Sequence, residues 1–385
     1  MSKLSGAAAS QSDRISRRVR RRGSRILGSA GLEKPARAAL GRYRTRRSDR
    51  SSRPDEARRW LATRHEVQTI LAGDGPVVVG PWLSELGFEV LYWVPFLRWL
   101  SDRFDIDPDR LHVVSRGGTA SWYSGVANHY LDILDFCTPS EFRHLTEERW
   151  QALGGQKQME MTKFDRNVLK LMRDQLEWDR RSVLHPSLMY NLFRSFWKDA
   201  APIDHILRHT RFEPFSPPSA EPWASRLPDG DFVAAKFYFR PSFPEAPANR
   251  EAVSDAISRL AEQTDVVLLN TGLEIDDHLD IDPGVEGRVT WMLDDVPPSQ
   301  NLHVQSLAIS RASGFVGTYG GLSYLAPMYG IRSLAYYSEP QHFLMSHLEL
   351  ARCAAHRTGG SLLTISTKES QLFGLLGAPS EDAPA

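Results

Sequence analysis

Two glutamates four residues apart, Glu85 and Glu89, straddle a helix start in the stretch Gly80-Pro-Trp-Leu-Ser-Glu-Leu-Gly-Phe-Glu89. A carboxylate there either complements the positive end of the helix dipole or acts as a general base toward an acceptor hydroxyl. Glu85 lies on the loop and takes precedence as the base. A second group, Lys236-Phe-Tyr-Phe-Arg240, ends an apolar strand, and alternation puts Lys236, Tyr238 and Arg240 on one side. Arg240 would pair a pyrophosphate bidentately, held by a loop that Pro241 and Pro244 stiffen. The alternative is an ordinary strand-end charge.

The third group is a glycine crest, Gly314-Phe-Val-Gly-Thr-Tyr-Gly-Gly-Leu-Ser-Tyr-Leu-Ala-Pro-Met-Tyr-Gly330. It reads as strand, glycine break, helix, with Arg332 to Ser338 as the next strand. Free amides at such a helix start hold phosphate, and glycine lets the phosphate approach closely. Thr318, Tyr319, Gly320, Gly321, Ser323 and Tyr324 are therefore assigned to binding a phosphate-bearing donor. A bare structural turn is the competing reading. Neither the Gly-x-Gly-x-x-Gly fingerprint nor a Walker loop is present.

Lesser candidates follow the same logic. Asn270, Thr271 and Gly272 end a strand and are placed against a ribose or base. His278 donates to a phosphate or serves as acid/base, against a plain surface role. Arg116 and Trp82, on loops after strands, are assigned to the acceptor, and a groove lined by Tyr190, Phe193 and Trp197 is a further acceptor candidate. The pairs Asp105/Asp107 and Asp280/Asp282 read as solvated turns, the second also as a metal candidate; no metal is expected. The chain contains no Gly-x-Ser-x-Gly and no zinc-ligand spacing, so hydrolase and metalloprotease readings lack support.

These residues need a scaffold, and 385 residues with 41% hydrophobic and 24% charged content supply one. Two cysteines far apart, Cys137 and Cys353, fit a reduced cytoplasmic protein. The net charge of zero hides an asymmetry, because residues 1–60 carry 18 basic and 5 acidic side chains. Residues 1–55 are too poor in large apolar groups to fold and are expected to be a disordered basic tail. An anionic membrane surface is the favoured specific partner for that tail, and deleting residues 2–53 would then release the protein from anionic vesicles. A solvated tail without a partner is the alternative, and no specific nucleic acid is expected. No apolar run is long enough to span a membrane. The expected location is the cytoplasm, at the inner membrane face if the tail binds there.

Strand Pro76–Gly80, helix Phe88–Phe104 with an aromatic face, strand Leu111–Ser115 and a helix running to about Leu131 indicate a parallel sheet. Residues 140–212 read as helical and off the sheet. A proline-rich stretch over 214–230 reads as a linker. Strands and helices then alternate again from Phe232 to Ile365. The expected organisation is an N-terminal α/β domain over 56–213 with a helical insertion, and a C-terminal Rossmann-like domain over 231–378. The loops of the two sheets would face a cleft, which suits a two-part substrate.

The pairing of Gly80 to Glu89 with Asn301-Leu-His-Val-Gln-Ser-Leu-Ala-Ile-Ser-Arg-Ala-Ser-Gly-Phe-Val-Gly-Thr-Tyr-Gly-Gly-Leu-Ser-Tyr324 resembles bacterial GT-B-fold glycosyltransferases near the heptosyltransferase and fucosyltransferase types. The similarity covers about residues 75–370, loosely in the first half. It implies two Rossmann-like domains facing a cleft. A nucleotide-sugar donor would sit on the C-terminal side, as co-substrate with no tightly bound cofactor. A glycan or lipid-linked acceptor would sit on the other, in cell-surface polysaccharide synthesis. By this resemblance the crest and Arg240 hold the diphosphate, without metal. Retaining members carry two glutamates eight apart; here His347 stands eight after Glu339, which points to inversion. Two other readings stay open: a sugar-nucleotide epimerase, and a non-catalytic nucleotide- or glycan-binding protein tethered by its tail.

Overall fold

The computed structural model describes residues 57–155, 157–173, 182–198, 200–273, 279–291 and 295–370. The basic tail and His278 lie outside the described residues. Residues 57–61, the described end of a first unit, are helical. Ala62–Ala385 forms a second unit that holds both sheets.

The first sheet has four parallel strands: β1 (Val77–Val79), β2 (Leu111–Ser115), β3 (His129–Asp132) and β4 (Val183–Leu184). Their order is β3-β2-β1-β4. β1 is Val-Val-Val and buried throughout, as a central parallel strand covered on both faces must be. The following helix, α1, is α-helical at Leu86–Phe88, π-helical over Glu89–Trp93 and α-helical again over Val94–Phe104. Pro95 has no N–H to give the α ladder, and the π turn precedes it directly. α2 (Pro139–Leu153), α3 (Lys163–Arg173) and α4 (Pro186–Leu192) follow, with short helical turns at Arg194–Trp197 and Asp204–Leu207.

Two expectations are corrected here. The segment after Arg116 is not a helix to Leu131 but a short 3-10 turn at Thr119–Tyr123 followed by β3; Gly117, Gly118 and Gly125 all have positive φ and break helical continuation. The region 140–212 is not wholly off the sheet either, because β4 pairs with β1 through Val78↔Val183 and Val79↔Leu184. A two-residue strand is too short to show a period.

The second sheet is formed by β5 (Phe232–Lys236), β7 (Asp265–Leu268), β9 (Val289–Trp291), β10 (Gly314–Thr318), β11 (Arg332–Tyr337) and β12 (Ser361–Ser366), all parallel. Its order is β12-β11-β10-β5-β7-β9. Just past β5, β6 (Tyr238–Phe239) pairs antiparallel with β8 (Leu279–Asp280). The connecting helices are α5 (Pro247–Ala261), α6 (Asn301–Arg311), α7 (Gly321–Met328) and α8 (Met345–Arg357). In both sheets the order reverses beside the first strand, between β1 and β4 and between β5 and β10. Crevices at such reversals are where ligands bind in open α/β sheets.

The proline-rich segment is a packed strap rather than a loose linker. Phe215 and Trp223 are buried, and the Phe215 N–H donates to the Met328 carbonyl at 2.7 Å. The two halves also meet directly. The Gly117 carbonyl accepts from the amides of Leu302 (2.7 Å) and His303 (2.9 Å) at the start of α6. Trp122 Nε1 donates to Ser306 Oγ at 3.1 Å.

Candidate functional site

The two reversal points abut. The loop after β1 brings Glu85, Leu86 and Gly87 against the start of α7, and a pocket of about 90 Å³ lies between them. Its far wall is built by the end of β5 and its extension, through Lys236, Tyr238 and Arg240. Thr271, Asp280, Asn301 and Gln305 close the sides, with Gly321 and Leu322 at the rim.

Lys236 is buried, and its Nζ donates to Asp280 Oδ2 at 2.5 Å; the Thr271 N–H donates to the same oxygen at 3.1 Å. Burial pushes the Lys236 ammonium toward deprotonation, and the Asp280 carboxylate opposes this. Arg240 Nη1 donates to the Tyr319 carbonyl at 3.0 Å, while its buried Nε has no hydrogen-bond partner among the described residues. Burial works against the charged guanidinium, but Tyr238, Tyr324 and Glu85 outweigh it and raise its pKa. Arg240 therefore stays cationic with a donor to spare, and Glu85 is one of the charges that face it. On the other flank of Glu85, Lys157 Nζ lies 5.3 Å from the Phe88 ring centroid and 4.6 Å from that of Trp197. Burial lowers its pKa and Glu85 partly restores it. Glu85 thus sits between a cation from each half.

Of the residues singled out from sequence, Glu85, Tyr238, Arg240, Thr271 and Gly321 come together in this pocket. Gly272 adjoins Thr271 in a turn with φ of 62° and open space around it. Asn270 points its amide at the chain, donating to the Ile281 carbonyl at 2.9 Å, and its buried Oδ1 has no partner among the described residues. Lys236 carried no assigned role, although strand alternation had placed it beside Arg240. Asp280, expected in a solvated turn or at a metal, is instead the partner of Lys236. Asp282 is exposed and accepts from the Gly284 amide at 2.9 Å. Lys157 carried no sequence signal at all.

The expected open crest is corrected: it is covered by its own surroundings. A Cβ on Gly320 would fall 2.0 Å from Tyr238 Oη and 2.5 Å from Arg240 Nη1. One on Gly321 would fall 2.6 Å from Leu86 Cδ2. The glycines serve close approach of these groups. Thr318 Oγ1 accepts from the Tyr238 amide (3.0 Å) and donates to its carbonyl (2.9 Å), fastening β6 to β10. Ser323 Oγ accepts from the Gly320 amide at 3.0 Å and donates to its carbonyl at 2.7 Å. Tyr319 stacks on Phe343 at 4.1 Å, and Tyr324 is buried against Gly87. Thr318, Ser323, Tyr319 and Tyr324 are spent on holding the crest and do not line the pocket. No backbone carbonyl among the described residues accepts from the amides of Gly321 and Leu322.

Three further assignments are also corrected. Trp82 is fully buried, stacked on Trp93 (5.8 Å) and Tyr190 (6.1 Å). Arg116 is buried over the Phe142 ring, with Nη1 donating to the Ser84 carbonyl at 3.0 Å. Neither is placed to touch an acceptor, and the groove residues Tyr190 and Phe193 are likewise core. Glu89 is directed into the first half by the π turn, away from the pocket. Its Oε1 accepts from Ser115 Oγ (2.6 Å) and Tyr123 Oη (2.5 Å), and Oε2 has no partner among the described residues. Burial pushes its pKa up to about 7, against the pull of Arg116 and the two hydrogen bonds. His347 is buried between the halves, packed on Phe88 (5.0 Å) and Tyr92 (5.4 Å), and burial brings its pKa down to about 3. Among the described residues no cluster of three or more His, Cys, Asp or Glu is arranged to hold a metal ion. No helix among them is long and apolar enough to cross a membrane.

No protein-family model matches the chain, and no curated protein matches it. Among solved structures, the glycosyl transferase family 9 protein from Veillonella parvula DSM 2008 is similar at 15% identity, over 80% of this chain and 91% of that one, with a TM-score of 0.43. The E. coli heptosyltransferase WaaC with ADP is similar at 12% identity, over 79% of this chain and 100% of that one, with a TM-score of 0.41. The UDP-GlcNAc 2-epimerase from Methanocaldococcus jannaschii is similar at 10% identity, over 80% and 92%, with a TM-score of 0.34. At TM-scores below 0.5, these likenesses leave the function to the geometry of the site itself.

Proposed function

We propose that the chain is a glycosyltransferase that moves a sugar from a nucleoside-diphosphate donor to an acceptor hydroxyl. The observation that carries this reading is the pocket where the two strand-order reversals meet. It sets Arg240, the Lys236–Asp280 ion pair and the helix-start amides of Gly321 and Leu322 opposite the Glu85 carboxylate. The cations and amides suit an anionic diphosphate, and the carboxylate suits proton removal from a hydroxyl.

In the proposed reaction Glu85 takes the acceptor proton as the acceptor oxygen attacks the anomeric carbon. The bond from that carbon to the diphosphate oxygen breaks, and the leaving charge falls to Lys236, Arg240 and the two amides. One base on the face opposite the leaving group inverts the anomeric centre, and protein cations replace a metal at the diphosphate. A volume of about 90 Å³ accommodates a phosphate group, whereas sites for whole ligands span roughly 300–1,000 Å³. Donor entry therefore requires Leu86 and Gly87 to part from Gly321. In this reading the protein works in the cytoplasm at the inner membrane face, on a glycan or lipid-linked acceptor for the cell surface.

A thermal-shift and calorimetric screen of UDP, GDP, ADP and dTDP tests the donor site. At least one is expected to bind and stabilise the protein; no binding by any of the four refutes the reading. Turnover of a sugar nucleotide without acceptor would indicate an epimerase instead. Tight donor binding with no turnover would indicate a non-catalytic binding protein.

A further inference from the structure

Loops in α/β proteins run over the surface, where water satisfies their backbone. The loop Pro81–Ser84 does the opposite. All four of its residues are buried, and its main chain is held by side chains drawn from three separate places. Gln158 reads it twice, accepting from the Leu83 amide at 2.9 Å and donating to the Pro81 carbonyl at 2.9 Å. Arg149 Nη2, from α2, donates to the Leu83 carbonyl at 2.8 Å. Arg116 Nη1, just past β2, donates to the Ser84 carbonyl at 3.0 Å. The Trp82 amide donates to the Val114 carbonyl at 2.9 Å. Gln158 is itself fixed. Its Nε2 donates to Asp165 Oδ1 at 2.7 Å, and that oxygen also meets His185 Nε2 at 3.0 Å. Burial alone would raise the Asp165 pKa, but His185 and Thr162 hold it well below the usual carboxylate range, so Asp165 remains an acceptor.

Burying two guanidinium groups is expensive, and apolar packing of similar volume is often at least as stable. A buried network of directed hydrogen bonds instead restricts the segment it holds to one conformation. The residue immediately after the clamped segment is Glu85. We propose that Gln158, Arg149 and Arg116 are positioning residues that fix the Glu85 carboxylate in the pocket. This inference rests on the proposed role of Glu85 as base. Arg116 then acts through the loop that carries the base, not on the acceptor.

Two measurements on Gln158→Met and Arg149→Met test the clamp, one of them independent of activity. Hydrogen exchange by mass spectrometry over residues 80–88 should be faster than in the parent protein, because the Leu83 amide or its carbonyl neighbour loses its partner. In steady-state kinetics kcat should fall about 100-fold, as a misplacement of roughly 1 Å produces, with donor affinity held within about twofold. Arg149→Lys keeps one donor for the Leu83 carbonyl and should recover part of kcat, which also covers the case in which a Met variant fails to fold. Unchanged exchange overturns the clamp. Faster exchange with unchanged kcat overturns the positioning role. If the parent protein transfers no sugar, the proposed function falls, while exchange still decides whether the clamp exists.

Discussion

Replacing Glu89 by Gln separates the buried glutamate from the one in the pocket. The carboxyl is fully buried, and its pKa moves from an ordinary 4.5 up to about 7, chiefly through burial. A raised carboxyl pKa means that the folded state holds the proton when the unfolded state has already lost it. Stability from this group is therefore fully present below pH 4.5 and is lost as pH rises through about 7. The displacement corresponds to roughly 3 kcal/mol, at about 1.4 kcal/mol per pH unit. Gln keeps a carbonyl oxygen for Ser115 and Tyr123 but cannot ionise. The difference in unfolding free energy, parent minus variant, should thus fall by roughly 3 kcal/mol between pH 4.5 and 7.5. Asp132, pushed up to about 6 by burial, titrates in the same window and its charge repels that of Glu89, so the two carboxyls share part of the difference. Urea unfolding at four pH values across this window measures it. Parallel stability curves for the two proteins would refute the account of Glu89 as a structural carboxyl that ionises near neutrality.

Glu85→Gln should lower kcat by about 10²–10⁴-fold, the range for a lost general base, while nucleoside-diphosphate affinity measured by calorimetry stays close to the parent value. Full retention of turnover would exclude the role. Gly320→Ala should weaken that affinity by tenfold or more, on the order of 1.4 kcal/mol, because the new methyl would lie 2.0 Å from Tyr238 Oη and 2.5 Å from Arg240 Nη1. Unaltered affinity would show that neither side chain contacts the diphosphate.

Much of the framework follows from local pattern. The Val-Val-Val run of β1, the aromatic face of α1 and the helix Asn301–Arg311 are legible because burial imposes a period of 2 or 3.6 on the residues that face the core. The Gly320-Gly321 break is legible because only glycine admits another chain so closely. Glu85 and Arg240 are legible as charges at the carboxyl ends of strands. Sequence pattern carries no strand order, however. That β5 lies beside β10 and β1 beside β4, and that the two reversals face each other, depends on pairings between residues 81 and 105 positions apart. The β6–β8 pairing brings Asp280 to Lys236, and the meeting of the two halves brings Lys157 near Glu85. Only that meeting turns the open crest into a packed seam. The same holds for Arg116, Trp82 and Glu89. Their types suit a site, but the fold buries all three: Trp82 within the loop that presents Glu85, Arg116 behind it, and Glu89 in a π turn that local propensity does not announce. Residue type and spacing thus settled which groups were available for chemistry. Tertiary packing, through desolvation and contacts made across the whole chain, decided which of them face the pocket.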